Sequence, residues 1–195
     1  MITIVIFVLA VFIIYGINIA VFYNSMNLGA LTLIFLAALV GIILINALIA
    51  IICCKLFPDK WFLNDSRFFM SSKKECRFYE KLGIKKWKDR VLELGKLNNF
   101  RKNKINDPNN PKYVEKFIIE NNKGFLDHFI SIIVCFLAIF IMPMKFWLPM
   151  ALPLAIASFL LNVMPLFVLR YNMPRLKTLL KYAQRNELRK EKTDI

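Results

Sequence analysis

The chain has 195 residues, 58% of them hydrophobic, with a mean hydropathy of +0.53 and a formal net charge of +14. A single domain of that length is too apolar to live in water, so the lipid bilayer must serve as its solvent. Of the 27 Lys and Arg residues, 18 fall between Lys55 and Lys123, eight lie from Arg170 onward and one is Lys145; this clustering beside apolar runs accounts for the positive charge without a nucleic-acid partner.

Residues 1–23 form a nearly unbroken run of Ile, Val, Leu and Phe, and 30–52 form a second. Each reaches roughly 33 Å as a helix, enough to cross a hydrocarbon core about 30 Å thick. The polar break at 24–29, rich in Asn and Ser, reads as the tip of a transmembrane hairpin. A cleaved signal peptide would need a basic start, a shorter apolar stretch and a small-residue cleavage site, so the first segment is expected to be retained.

The segment 53–124 is expected to be cytoplasmic and interfacial. Its opening mixes Phe57, Trp61, Phe62, Phe68 and Phe69 with single charges, the composition of a headgroup-level segment. Between Lys73 and Leu94 apolar residues recur every three to five positions, predicting one or two amphipathic helices interrupted near Gly83. Residues 98–111 read as a loop, with helix resuming by about Tyr113. Apolar runs at 125–143 and 146–169 form a second hairpin. The tail 170–195 reads as a separate basic amphipathic helix, with Asn172 as its cap and Pro174 in its first turn. The whole is an all-α integral membrane protein with four transmembrane helices, and the positive-inside count places both termini in the cytoplasm. The four cysteines show no C-x-x-C pair, so neither a disulfide frame nor a metal site is expected. No cofactor is expected either.

Chemistry is sought where polar groups enter the apolar segments. The single histidine, His128, lies about one turn inside the third crossing, beside Asp127 and eight residues after Glu120. It is either a base facing a cavity or a helix-end side chain touching headgroups. Asp127 and His128 diverge by about 100° around a helix, so both cannot face one cavity squarely. Contact between Glu120 and His128 would need a break in the helix, which Gly124 could supply. Asn162 and Pro165 in the fourth crossing point to a polar pocket on the inner side, because a proline frees a backbone carbonyl that lipid cannot satisfy. Arg170 and Arg175 flank that pocket, either to grip phosphate or carboxylate or simply to snorkel.

The ordered set Pro58-Asp-Lys-Trp-Phe62, Lys86-Trp-Lys88, Glu120 with His128 and Ser131, and Arg170-Tyr-Asn-x-Pro-Arg-Leu176 resembles the glycosyl-4,4'-diaponeurosporenoate acyltransferase family. The resemblance runs from Pro58 to the tail and does not include the first 50 residues. It implies a bacterial plasma-membrane enzyme that moves a fatty acyl group onto a sugar hydroxyl of a glycosylated carotenoid or a related glycolipid. In that setting His128 is expected to act as general base, with Glu120 orienting the ring or sharing its proton. Lys86, Lys88, Arg170 and Arg175 are expected to hold the phosphate-bearing part of the acyl donor, and Asn172 to donate a hydrogen bond to donor or oxyanion. The partners are then membrane lipids, an activated acyl donor and a glycosylated acceptor. The competing reading is a non-enzymatic lipid-binding or accessory membrane subunit.

Overall fold

The computed structural model describes residues 2–63, 66–91 and 105–193. It is 84% helical, with no strand among the described residues. The expected all-α architecture holds: four helices are long and apolar enough to cross a membrane.

Helices α1 (Ile2–Phe22) and α2 (Leu28–Lys55) form the first hairpin. Asn27 ends the turn between them by accepting from the Gly29 and Ala30 amides, satisfying two N–H groups that the start of α2 would otherwise leave open. The hairpin buries Ile14, Phe22, Leu31 and Phe35 against Phe146, Met150, Leu154 and Ala157 where the fourth crossing begins. Its other face is uniformly apolar and exposed, as a lipid-facing surface must be.

The segment between the two hairpins opens with three short helices, α3 (Lys60–Leu63), α4 (Lys73–Lys81) and α5 (Ile84–Trp87). Ser72 caps α4 through the Glu75 amide. Gly83 adopts a left-handed φ of 70°, which breaks α4 from α5 where the sequence placed the interruption. Val91 is the last described residue here, so Leu94 and the loop at 98–104 lie outside the described residues.

Helix α6 spans Pro111–Leu137, capped by Asn110, and α7 spans Leu152–Thr193. These two differ from expectation. Gly124 does not break α6, and the tail is not a separate helix: α7 continues through Asn172 and Pro174 to Thr193, so Asn172 is not a cap. The reason is visible at Arg170. Pro174 has no N–H to give the carbonyl four residues back, and the Ser71 hydroxyl takes its place at 2.5 Å from the Arg170 carbonyl. At the other end of the fourth crossing Asn18 of α1 donates to the Pro149 carbonyl at 2.6 Å and to the Ile14 carbonyl at 2.8 Å. A one-turn π-helix at Trp147–Ala151 joins the turn of the second hairpin to α7.

Candidate active site

His128 lies on α6 where α2, α6 and α7 meet. Its Nδ1 is 2.9 Å from Asn162 Oδ1 on α7. Asn162 Nδ2 in turn faces Asn46 Oδ1 of α2 at 3.0 Å and the Ser158 carbonyl at 2.9 Å. Asn46 Nδ2 donates to the Ile42 carbonyl at 2.8 Å, and deeper still Cys135 Sγ and Ser158 Oγ are 3.1 Å apart. Five side chains from three crossings thus form one polar ladder inside the apolar slab. Groups of this kind are costly in lipid unless they satisfy one another, which explains both their clustering and the burial of Ser158 and Asn162. Asn162 was flagged in the sequence by its neighbour Pro165. Asn46 was not, although it interrupts an otherwise apolar run.

On either side of His128 along α6, Phe125 and Phe129 stack at 6.0 Å and receive Phe68 edge-on at 5.2 and 5.5 Å. These rings form an aromatic collar beside the α6 turn that carries the imidazole. Arg170 lies over Phe125 at 5.3 Å. Its guanidinium is already engaged: it pairs with Glu75 through Nε and, at 2.9 Å, through Nη2, and it donates to the carbonyls of Phe68 at 2.6 Å and Met70 at 3.0 Å. Burial pulls the Glu75 carboxyl upward, but hydrogen bonds from Arg170 and Tyr79 outweigh it and hold the group below its ordinary range. Gripping a phosphate would require Arg170 to leave Glu75.

Arg175 stacks on Tyr171 at 3.8 Å, donates to its hydroxyl at 2.6 Å and lies 3.6 Å from Glu80, with half its side chain exposed. Glu80 also accepts from Tyr171 and pairs with Lys85 at 3.0 Å; the Lys85 hydrogen bond is the main cause of its lowered pKa. Lys86 is exposed and Lys88 half-buried, 4.0 Å from Asp89. Between them Trp87 is tied to the Leu82 carbonyl at 3.0 Å. Asn172 is half-buried within α7.

Glu120 is half-buried on α6. Because α6 is unbroken, Glu120 and His128 stay about 12 Å apart along the axis and about 80° apart around it. The break at Gly124 that a direct contact would need is absent, and the group facing His128 Nδ1 is Asn162 Oδ1. Asp127, next to His128, accepts weakly from Ser131 at 3.5 Å. Among the described residues no group of three or more His, Cys, Asp or Glu is placed to hold a metal ion.

A family model described as glycosyl-4,4'-diaponeurosporenoate acyltransferase matches residues 58–182, well over half of the chain. The chain belongs to this family. Among curated proteins and solved structures alike, none matches. The family is named for acyl transfer, and its matched range runs from α3 into α7 and includes Lys86, Lys88, Glu120, His128, Asn162, Arg170, Asn172 and Arg175. The matched range begins after α2, and Asn46 lies outside it.

Proposed function

We propose that this chain transfers a fatty acyl group from an activated donor to a sugar hydroxyl of a glycosylated carotenoid or related glycolipid, at the inner face of a bacterial plasma membrane. The observation that carries the reading is the single imidazole of the chain, held by Asn162 at 2.9 Å inside the apolar slab of a protein whose family is named for acyl transfer. An anchoring histidine needs no such partner; a base needs a fixed ring.

In the proposed reaction His128 takes the proton as the acceptor oxygen attacks the acyl carbonyl. The tetrahedral intermediate then expels the donor's leaving group, which recovers that proton, and an ester bond replaces the donor's acyl bond. The basic inner surface suits the charged part of the donor. Lys86, Lys88 and Arg175 form its rim, with Asn172, half-buried on α7, as a hydrogen-bond donor. Tyr171 sits about 13 Å along α7 from Asn162, so the donor must carry a long arm between its charged part and its acyl carbonyl. Arg170 builds the floor of this surface through Glu75. Glu120, nearer the inner end of α6, is assigned to proton exchange with the aqueous side without touching the ring.

Purified His128→Ala protein tests the reading. With a long-chain acyl thioester and a glycosylated acceptor, kcat should fall by about 100-fold or more, the size of a positioned general base. Unchanged turnover would exclude His128. Comparing the lipids of cells with and without the gene should reveal one acylated glycolipid class that disappears on deletion; no difference would favour a lipid-binding subunit.

A further inference from the structure

The polar ladder constrains more than the position of the imidazole. Asn162 Nδ2 faces two oxygens, the Ser158 carbonyl at 2.9 Å and Asn46 Oδ1 at 3.0 Å. A backbone carbonyl can only accept, so the Asn162 atom beside it must be the amide nitrogen, and its two hydrogens are both engaged. Asn46 is fixed in the same way: its own nitrogen donates to the Ile42 carbonyl at 2.8 Å, which turns its oxygen toward Asn162. Neither amide can flip without bringing oxygen against oxygen in a medium that offers no water to relieve it. The remaining Asn162 atom is therefore an acceptor, and it lies 2.9 Å from His128 Nδ1. An acceptor there requires Nδ1 to carry the proton.

We infer that Asn162, locked by Asn46 of α2, is a positioning residue that holds neutral His128 in its Nδ1-protonated tautomer, so that Nε2 is the nitrogen that accepts the acceptor-hydroxyl proton. This deepens and rests on the general-base reading above. It also gives the first hairpin a chemical duty. Asn46 lies outside the matched range 58–182, yet it sets the amide that sets the ring, so α2 completes the catalytic unit rather than only anchoring it. The preference runs against the isolated side chain, whose neutral form favours the Nε2-protonated tautomer, and a fixed partner on the other nitrogen is the usual means of overriding it.

The chain has one histidine, so its state can be read directly. Protein labelled with nitrogen-15 at histidine, in micelles at a pH where the ring is neutral, should give one set of long-range nitrogen–proton correlations with the pattern of an Nδ1-protonated ring. This spectrum needs no variant, so a folding failure cannot obscure it. Asn162→Leu should bring in the Nε2-protonated pattern and lower kcat by about 10- to 100-fold, with KM for the acyl donor within about twofold. Asn46→Leu, one step removed, should show a mixture of both patterns and a smaller loss of kcat. An Nε2-protonated ring in the parent would overturn the inference, as would an unchanged pattern in folded Asn162→Leu protein. The two readings fail separately. Full activity in His128→Ala with an Nδ1-protonated parent would sink general-base catalysis alone, whereas an inactive His128→Ala with an Nε2-protonated parent would sink the tautomer assignment alone.

Discussion

Arg170 and Glu75 meet with side chains 18% and 25% exposed, so their pair is neither dry nor freely solvated. Removing one partner of a fully buried pair costs about 3 to 5 kcal/mol, and partial exposure reduces that. Glu75→Gln keeps the shape but removes the charge, and should lower stability by about 2 kcal/mol, read from thermal unfolding in detergent. The pH dependence has a definite sign. The Glu75 carboxyl is held below its ordinary value of 4.5, so folding binds fewer protons than unfolding there. The stabilisation is fully present above about pH 4.5 and is lost as pH falls through the lower folded value. Melting temperature should therefore drop on acidification below that point, and drop less in Glu75→Gln. Equal acid sensitivity in both proteins would show that other carboxylates carry the effect. The arginines were legible as cations near the fourth crossing. Their partners were not, because Glu75 and Glu80 come from another helix and local spacing carries no sign of the pairing.

Among the elements, α6 and α7 show where local rules give way. Lys123 reads as the edge of a membrane segment, yet it is buried, paired with Asp59 at 2.6 Å and set over the Phe62 ring, so α6 passes through that level without ending. Asn172-Met-Pro174 reads as a helix start, because a proline suits the first turn and an asparagine suits the cap. The Ser71 hydroxyl overrides this by serving the carbonyl that the proline abandons. Such a substitution of side-chain donor for backbone donor predicts a coupling. Ser71→Ala should cost about 1 kcal/mol in the parent, near the middle of the range for hydrogen bonds at helix contacts. In a Pro174→Ala background the new amide can reach the Arg170 carbonyl, and the same change should cost less than half as much. A double-mutant cycle on melting measures the difference. Additive effects would mean that Ser71 acts through some other contact.

At the scale of the whole molecule the four crossings were legible because uncharged runs of about 20 residues have few alternatives in any fold. The contacts that define the site were less so. His128 stands out as the lone imidazole, and Pro165 drew attention to Asn162, but Asn46 is one polar residue in an apolar helix and gains meaning only when α2 is seen beside α6 and α7. The same charge pattern that reveals the crossings also predicts their direction. The turn of the first hairpin is uncharged and that of the second holds only Lys145, while every other Lys and Arg of the sequence falls in 55–123 or 170–192. In spheroplasts a membrane-impermeant maleimide should therefore label Ser25→Cys protein from outside and leave the parent unlabelled, since none of its native cysteines lies in an outer turn. Ser72→Cys protein should be labelled only after permeabilisation. Labelling of Ser72→Cys in intact spheroplasts, with Ser25→Cys protected, would invert the topology and move the basic surface, with the acyl donor proposed to bind there, to the outer side. The donor chemistry makes that arrangement incompatible with a cytoplasmic thioester, so this one experiment tests the orientation and the source of the acyl group together.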